Sequence, residues 1–137
     1  MGCPVEWKSR LQTDIATSTM EAEYSALSIA LRAAIPLLEI CKYIVQNFKV
    51  TRGTLVTFKA TVHEDNKGAL RLANLEPGRH TPRSKFYAIK MHWFRSWLKP
   101  RQVELVYIES KFQKADMFTK PLPMAAFEAN RKLSCGW

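Results

Sequence analysis

Acidic side chains are scarce in this chain. Twelve Asp and Glu stand against 21 Lys and Arg, a formal charge of +9 over 137 residues. That excess favours a polyanionic partner, nucleic acid first and an anionic membrane surface second. Cysteine is scarcer still, with Cys3, Cys41 and Cys135 widely spaced. An odd number without metal-ligand spacing argues against a disulfide framework or a zinc site and suggests reduced thiols in an intracellular protein. The opening residues, MGCPVEWKSR, have no apolar core, so a secretory leader is not expected. Unbroken apolar runs are missing too. The longest, Ala26 to Val45, contains Arg32, Pro36, Glu39 and Lys42 and reads as a buried helix rather than a membrane span. There is no internal repeat or low-complexity segment. What is present is enough apolar residue, 47%, for a core, in a length that suits one domain.

Periodicity orders the chain. Pro4 to Ser9 alternates, with Val5 and Trp7 on one face, and predicts a strand. Ser18 and Glu21 form a capping box that opens a long helix, from about Thr19 to Phe48. Its predicted buried stripe is Ala22, Ala26, Ile29, Ala30 and Ala33, and Pro36 should kink or divide it. A turn follows around Gly53. Leu55 to Val62 predicts a strand running into His63, Glu64 and Asp65, and Asn66 to Asn74 a short helix. A loop with Pro77, Gly78 and Pro82 leads to an amphipathic helix over 83–98. Val103 to Ile108 predicts a strand, Ala115 to Lys120 a short helix stopped by Pro121, and Pro123 to Leu133 a last helix. Strands alternating with helices imply an α/β domain with parallel pairing, whose functional groups gather at the carboxyl ends of the strands.

Three carboxylates fall where such a site would need them. Asp65 ends a strand, Asp116 opens a helix after the last strand, and Glu23 lies in the first turns of the long helix. Each has a structural explanation as well: Asp65 and Asp116 as N-caps, Glu23 as an acid favoured at a helix N-terminus. Glu21 is accounted for by the capping box. Carboxylates that converge at one sheet edge repel unless a cation neutralises them, and hard Mg²⁺ or Mn²⁺ suits oxygen donors. Two such ions about 4 Å apart can activate water and stabilise a leaving oxygen in phosphodiester cleavage.

Five blocks, PVEWKSRLQ, STMEAEYSALS, TVHEDNKGALRLA, TPRSKFYAIKMHWFR and ADMFTKPLP, together resemble the C-terminal end of Ty1/copia-type retrotransposon polyproteins over almost the whole chain. The resemblance implies a ribonuclease H-like α/β fold, a mixed sheet with flanking helices, following a reverse transcriptase domain. It also implies cleavage of the RNA strand of RNA–DNA hybrids by two Mg²⁺ or Mn²⁺ ions held by four carboxylates. Three of these map onto Glu23, Asp65 and Asp116. The first, an upstream Asp, has no counterpart here. Residues 1–137 are therefore expected to form a single partial domain without its first two strands, inactive alone. A second departure is SKFYAI, where Phe86 and Ala88 replace the His and Asp of the usual block.

Basic residues crowd the region of the predicted helix 83–98. Arg79, Arg83, Lys85, Lys90 and Arg95 are the expected contacts to nucleic-acid phosphate, which are sequence-independent and salt-sensitive. The interleaved Phe86, Trp93, Phe94 and Trp97 fit core packing better than base stacking. His63, His80 and His92 have no metal-ligand spacing and read as ordinary residues. The alternatives to a nuclease are a non-catalytic basic nucleic-acid-binding module and a functionless retroelement remnant.

Overall fold

The computed structural model describes residues 4–48, 57–82, 84, 87 and 92–136. A helix of 29 residues, α1 (Thr19–Asn47), is the first regular element among the described residues, and Ser18 caps it, its Oγ accepting the Glu21 N–H at 3.2 Å. The box closes one residue earlier than the motif suggests. Glu21 Oε2 accepts the N–H and hydroxyl of Thr17, at 2.8 and 2.7 Å. Pro36 lies inside α1 without dividing it. The missing N–H costs the helix one bond to the Arg32 carbonyl, and the flanking turns carry it through.

The buried face of α1 is not the predicted one. Tyr24, Leu27, Leu31 and Ile35 are buried, whereas Ala26, Ile29, Ala30 and Ala33 are exposed and Ala22 is half-buried. Both faces are apolar at helical spacing. The one carrying Leu, Ile and Tyr removes more area from water, and it is the one that packs. By length and composition α1 could also cross a bilayer, a test that a core helix passes equally.

Two strands follow, β1 (Ala60–Glu64) and β2 (Val103–Tyr107), paired in parallel with Ala60 opposite Val103 and Glu64 opposite Tyr107. Among the described residues the sheet has these two strands, so its pairing is parallel rather than mixed. Between them come α2 (Lys67–Ala73) and α3 (Arg95–Leu98). After β2, a 3₁₀ turn (Ser110–Phe112) leads to α4 (Asp116–Thr119) and α5 (Met124–Cys135). The core joins Tyr24, Leu27, Leu31 and Ile35 of α1 to Ala69 and Leu72 of α2, Phe94 and Leu98 around α3, and Val103 and Leu105 of β2.

Two further expectations change. Pro4 to Ser9 is not a strand: Val5 and Trp7 are exposed, and among the described residues no strand lies alongside to share backbone hydrogen bonds. Trp7 instead stacks on Phe118 of α4, ring centroids 5.5 Å apart. Of the helix expected over 83–98, only Arg95–Leu98 is α-helical among the described residues, with a bend at Tyr87 and turns at 92–94. The turn expected around Gly53 lies outside the described residues.

Candidate functional site

The carboxyl end of β1 delivers two acids in succession. Period-two alternation puts Glu64 on the same face as Ala60 and Val62, so it is buried, while Thr61 and His63 point outward. Asp65 follows just beyond the strand. It does not cap α2. Asn66 does, its Oδ1 accepting the N–H groups of Gly68 and Ala69 at 2.9 and 3.0 Å. Asp65 is thus free to face the loop after β2, where its Oδ2 accepts the Ser110 hydroxyl at 2.8 Å.

Glu23 reaches the same place from the second turn of α1. One carboxylate oxygen from each of Glu23, Glu64 and Asp65 lies within 4.8 Å of the others. Asp116, the first residue of α4, makes no side-chain cap there. Its Oδ1 lies 2.9 Å from Lys120 Nζ, and the same ammonium is 4.0 Å from Asp65 Oδ2. The three sequence-predicted carboxylates therefore converge, two directly and Asp116 through Lys120. The N-cap explanations of Asp65 and Asp116 do not hold.

Electrostatics record the crowding. Burial, then the charges of Glu23 and Asp65, push the Glu64 carboxyl up to about 7, against the lowering pull of the Asn66 N–H, which donates to its Oε1 at 2.9 Å. Glu23 is raised as well, by burial first, then by Asp65 and Asp116, with Lys120 opposing. Lys120 is raised, chiefly by its hydrogen bond to Asp116. Such a donor set suits a hard divalent ion: clustered oxygens, half-buried or buried, with the Glu64 carboxyl raised first by burial and then by its acidic neighbours. Glu64 is not among the sequence-predicted acids, because Asp65 directly after it already supplies an acid at the strand end. The signal that could have found it is its parity with Val62.

The predicted phosphate contacts fare unevenly. Arg79 is exposed. Arg83, Lys85 and Lys90 lie outside the described residues. Arg95 is a correction: it is 5% exposed and turned inward. Its Nε donates to the Tyr24 hydroxyl at 2.9 Å and one Nη to the Arg79 carbonyl at 2.8 Å. The single turn of α3 puts Arg95 on the side of Leu98, against the core, so it is not a surface cation. His92 is likewise half-buried, its Nδ1 2.8 Å from the Tyr24 hydroxyl, and burial lowers its pKa first, then the Arg95 charge. Trp93 packs against the core and Phe94 is fully buried, as their spacing predicts, while Trp97 is 42% exposed.

Over 125 residues, 91% of its length, the chain is 29% identical to the retrovirus-related Pol polyprotein from transposon RE1 of Arabidopsis thaliana. Over 115 residues, 82% of its length, it is 31% identical to the transposon Ty1-JR2 Gag-Pol polyprotein of Saccharomyces cerevisiae. Its relatives are retrotransposon polyproteins. The chain spans 8% and 6% of the lengths of these two, so it corresponds to a short stretch of a Pol or Gag-Pol polyprotein. No family model and no solved structure matches it.

Proposed function

We propose that this stretch of a retrotransposon polyprotein is a ribonuclease H-type domain acting on RNA–DNA hybrids, next to a reverse transcriptase domain in the polyprotein. Glu23, Asp65 and Asp116, joined by Glu64, would hold Mg²⁺ or Mn²⁺. The observation that carries this reading is the meeting of acids from α1, the end of β1 and the start of α4, in a chain whose formal charge is +9. A basic protein with an acidic cluster combines attraction for a polyanion with a place for the ion that would cleave it.

The chain's own groups have separable tasks. Asp65 is oriented by the Ser110 hydroxyl and Asp116 by Lys120. Glu64 is tied to the turn into α2 by the Asn66 N–H, which fixes its oxygens beside Glu23. Bound divalent ions would supply water activation and stabilisation of the leaving oxygen. Exposed Arg79 stands among the candidates for phosphate contact.

The first carboxylate of the resembling family has no counterpart in the 137 residues. Alone, they should bind hybrid but cleave it little or not at all. The test is Mg²⁺-dependent cleavage of an RNA–DNA hybrid by the 137-residue chain and its Asp65→Asn variant. Cleavage that disappears in the variant would overturn the inactivity and uphold the site. A non-catalytic binding module is the second reading, favoured by the net charge. Hybrid affinity that falls steeply with salt and ignores Asp65→Asn fits it.

A further inference from the structure

The cluster already holds a positive charge. Lys120 Nζ bridges acids from two elements, 2.9 Å from Asp116 Oδ1 on α4 and 4.0 Å from Asp65 Oδ2 beyond β1. The backbone sets this up. Lys120 ends the single turn of α4, its N–H donating to the Asp116 carbonyl at 2.8 Å, which brings the i and i+4 side chains together. Lys120 then leaves the helical region, at φ −124° and ψ 142°, and Pro121 follows.

Its setting differs from that of an ordinary surface ion pair. The Asp65 and Asp116 side chains are 14% and 13% exposed, whereas Lys120 is 48% exposed. The ammonium is the more solvent-accessible partner and regains its full hydration when it leaves the acids. It also holds Asp116, whose carboxylate stands outside the close group formed by Glu23, Glu64 and Asp65.

We infer that Lys120 is a resident counter-ion of this cluster, and that a divalent ion entering the cluster displaces its ammonium from Asp116 and Asp65. The inference rests on the proposed metal-binding role of these acids. Like charges this close repel, and the Asp116 oxygen to which the ammonium now donates is one a divalent ion needs as a ligand. Lys120 thereby sets a threshold: it offsets part of the acids' charge without metal and opposes weak loading. It is a positioning residue, acting through Asp65 and Asp116.

The test compares Mn²⁺ binding by the 137-residue chain with that of its Lys120→Met and Lys120→Arg variants, together with the NMR signal of the Lys120 side-chain nitrogen during Mg²⁺ titration. Loss of the ammonium should tighten Mn²⁺ binding about fivefold, in line with a half-exposed ion pair. Lys120→Arg should bind as the parent does. The side-chain signal should move as Mg²⁺ binds. Equal or weaker Mn²⁺ binding by Lys120→Met overturns the inference and leaves the metal site standing. So does a side-chain signal unmoved by Mg²⁺ in the parent chain, a readout that survives if Lys120→Met does not fold. Absence of Mn²⁺ binding in both parent and Lys120→Met removes the metal site, and the inference with it.

Discussion

Arg95 Nε donates to the hydroxyl of Tyr24 at 2.9 Å, joining two buried residues 71 positions apart in the chain. A guanidinium only donates, so the hydroxyl accepts, and its own hydrogen is free for His92 Nδ1, 2.8 Å away. One oxygen thus ties α1 to the segment leading into α3, and burial pushes the Tyr24 pKa up to about 12.

Removing that oxygen should be costly although the ring remains. Tyr24→Phe leaves Arg95 Nε and His92 Nδ1 without their partner inside the protein, and should lower stability by about 1–3 kcal/mol. Urea unfolding of the variant measures this. A loss of a few tenths of a kcal/mol or less would mean that the network does not hold α1 in place.

The acid cluster should make stability depend on pH in an unusual direction. Glu64 is raised from its ordinary 4.5 to about 7, so the folded chain holds its proton where the unfolded chain has released it. That contribution is fully present below 4.5 and is lost as pH rises through about 7. Without divalent ions, stability should therefore decline between pH 5 and 7.5 by more than in Glu64→Gln, which cannot ionise. Thermal unfolding of both proteins across that window decides it. A steeper decline in Glu64→Gln would contradict the raised pKa.

Much of this arrangement could be read from the sequence, for identifiable reasons. The start of α1 was legible because Ser18 offers a hydroxyl at the cap, and α2 because a run of helix formers follows the strand, although its cap is Asn66 and not Asp65. Glu23, Asp65 and Asp116 could be picked out by position and by resemblance to polyprotein blocks. Other features depend on tertiary choices that local pattern leaves open. α1 has two apolar faces, and only packing shows that Tyr24, Leu27, Leu31 and Ile35 go inside. Val5 and Trp7 alternate as a strand would, but a strand needs a neighbour. Arg95 reads as a surface cation until α3 proves to be a single turn that aims it at Tyr24. The role of Lys120 is not legible locally because it depends on Asp65, which is 55 positions away in sequence and 4.0 Å away in space.

A ribonuclease H-type role requires that these acids bind a divalent ion together. The most direct measurement is paramagnetic broadening of backbone amide signals as trace Mn²⁺ is added to the 137-residue chain. The amides of Glu23, Glu64, Asp65 and Asp116 should broaden first and together, and Asp65→Asn should abolish the effect. Broadening spread evenly over exposed acids such as Glu104 and Glu109, unchanged by Asp65→Asn, would contradict it.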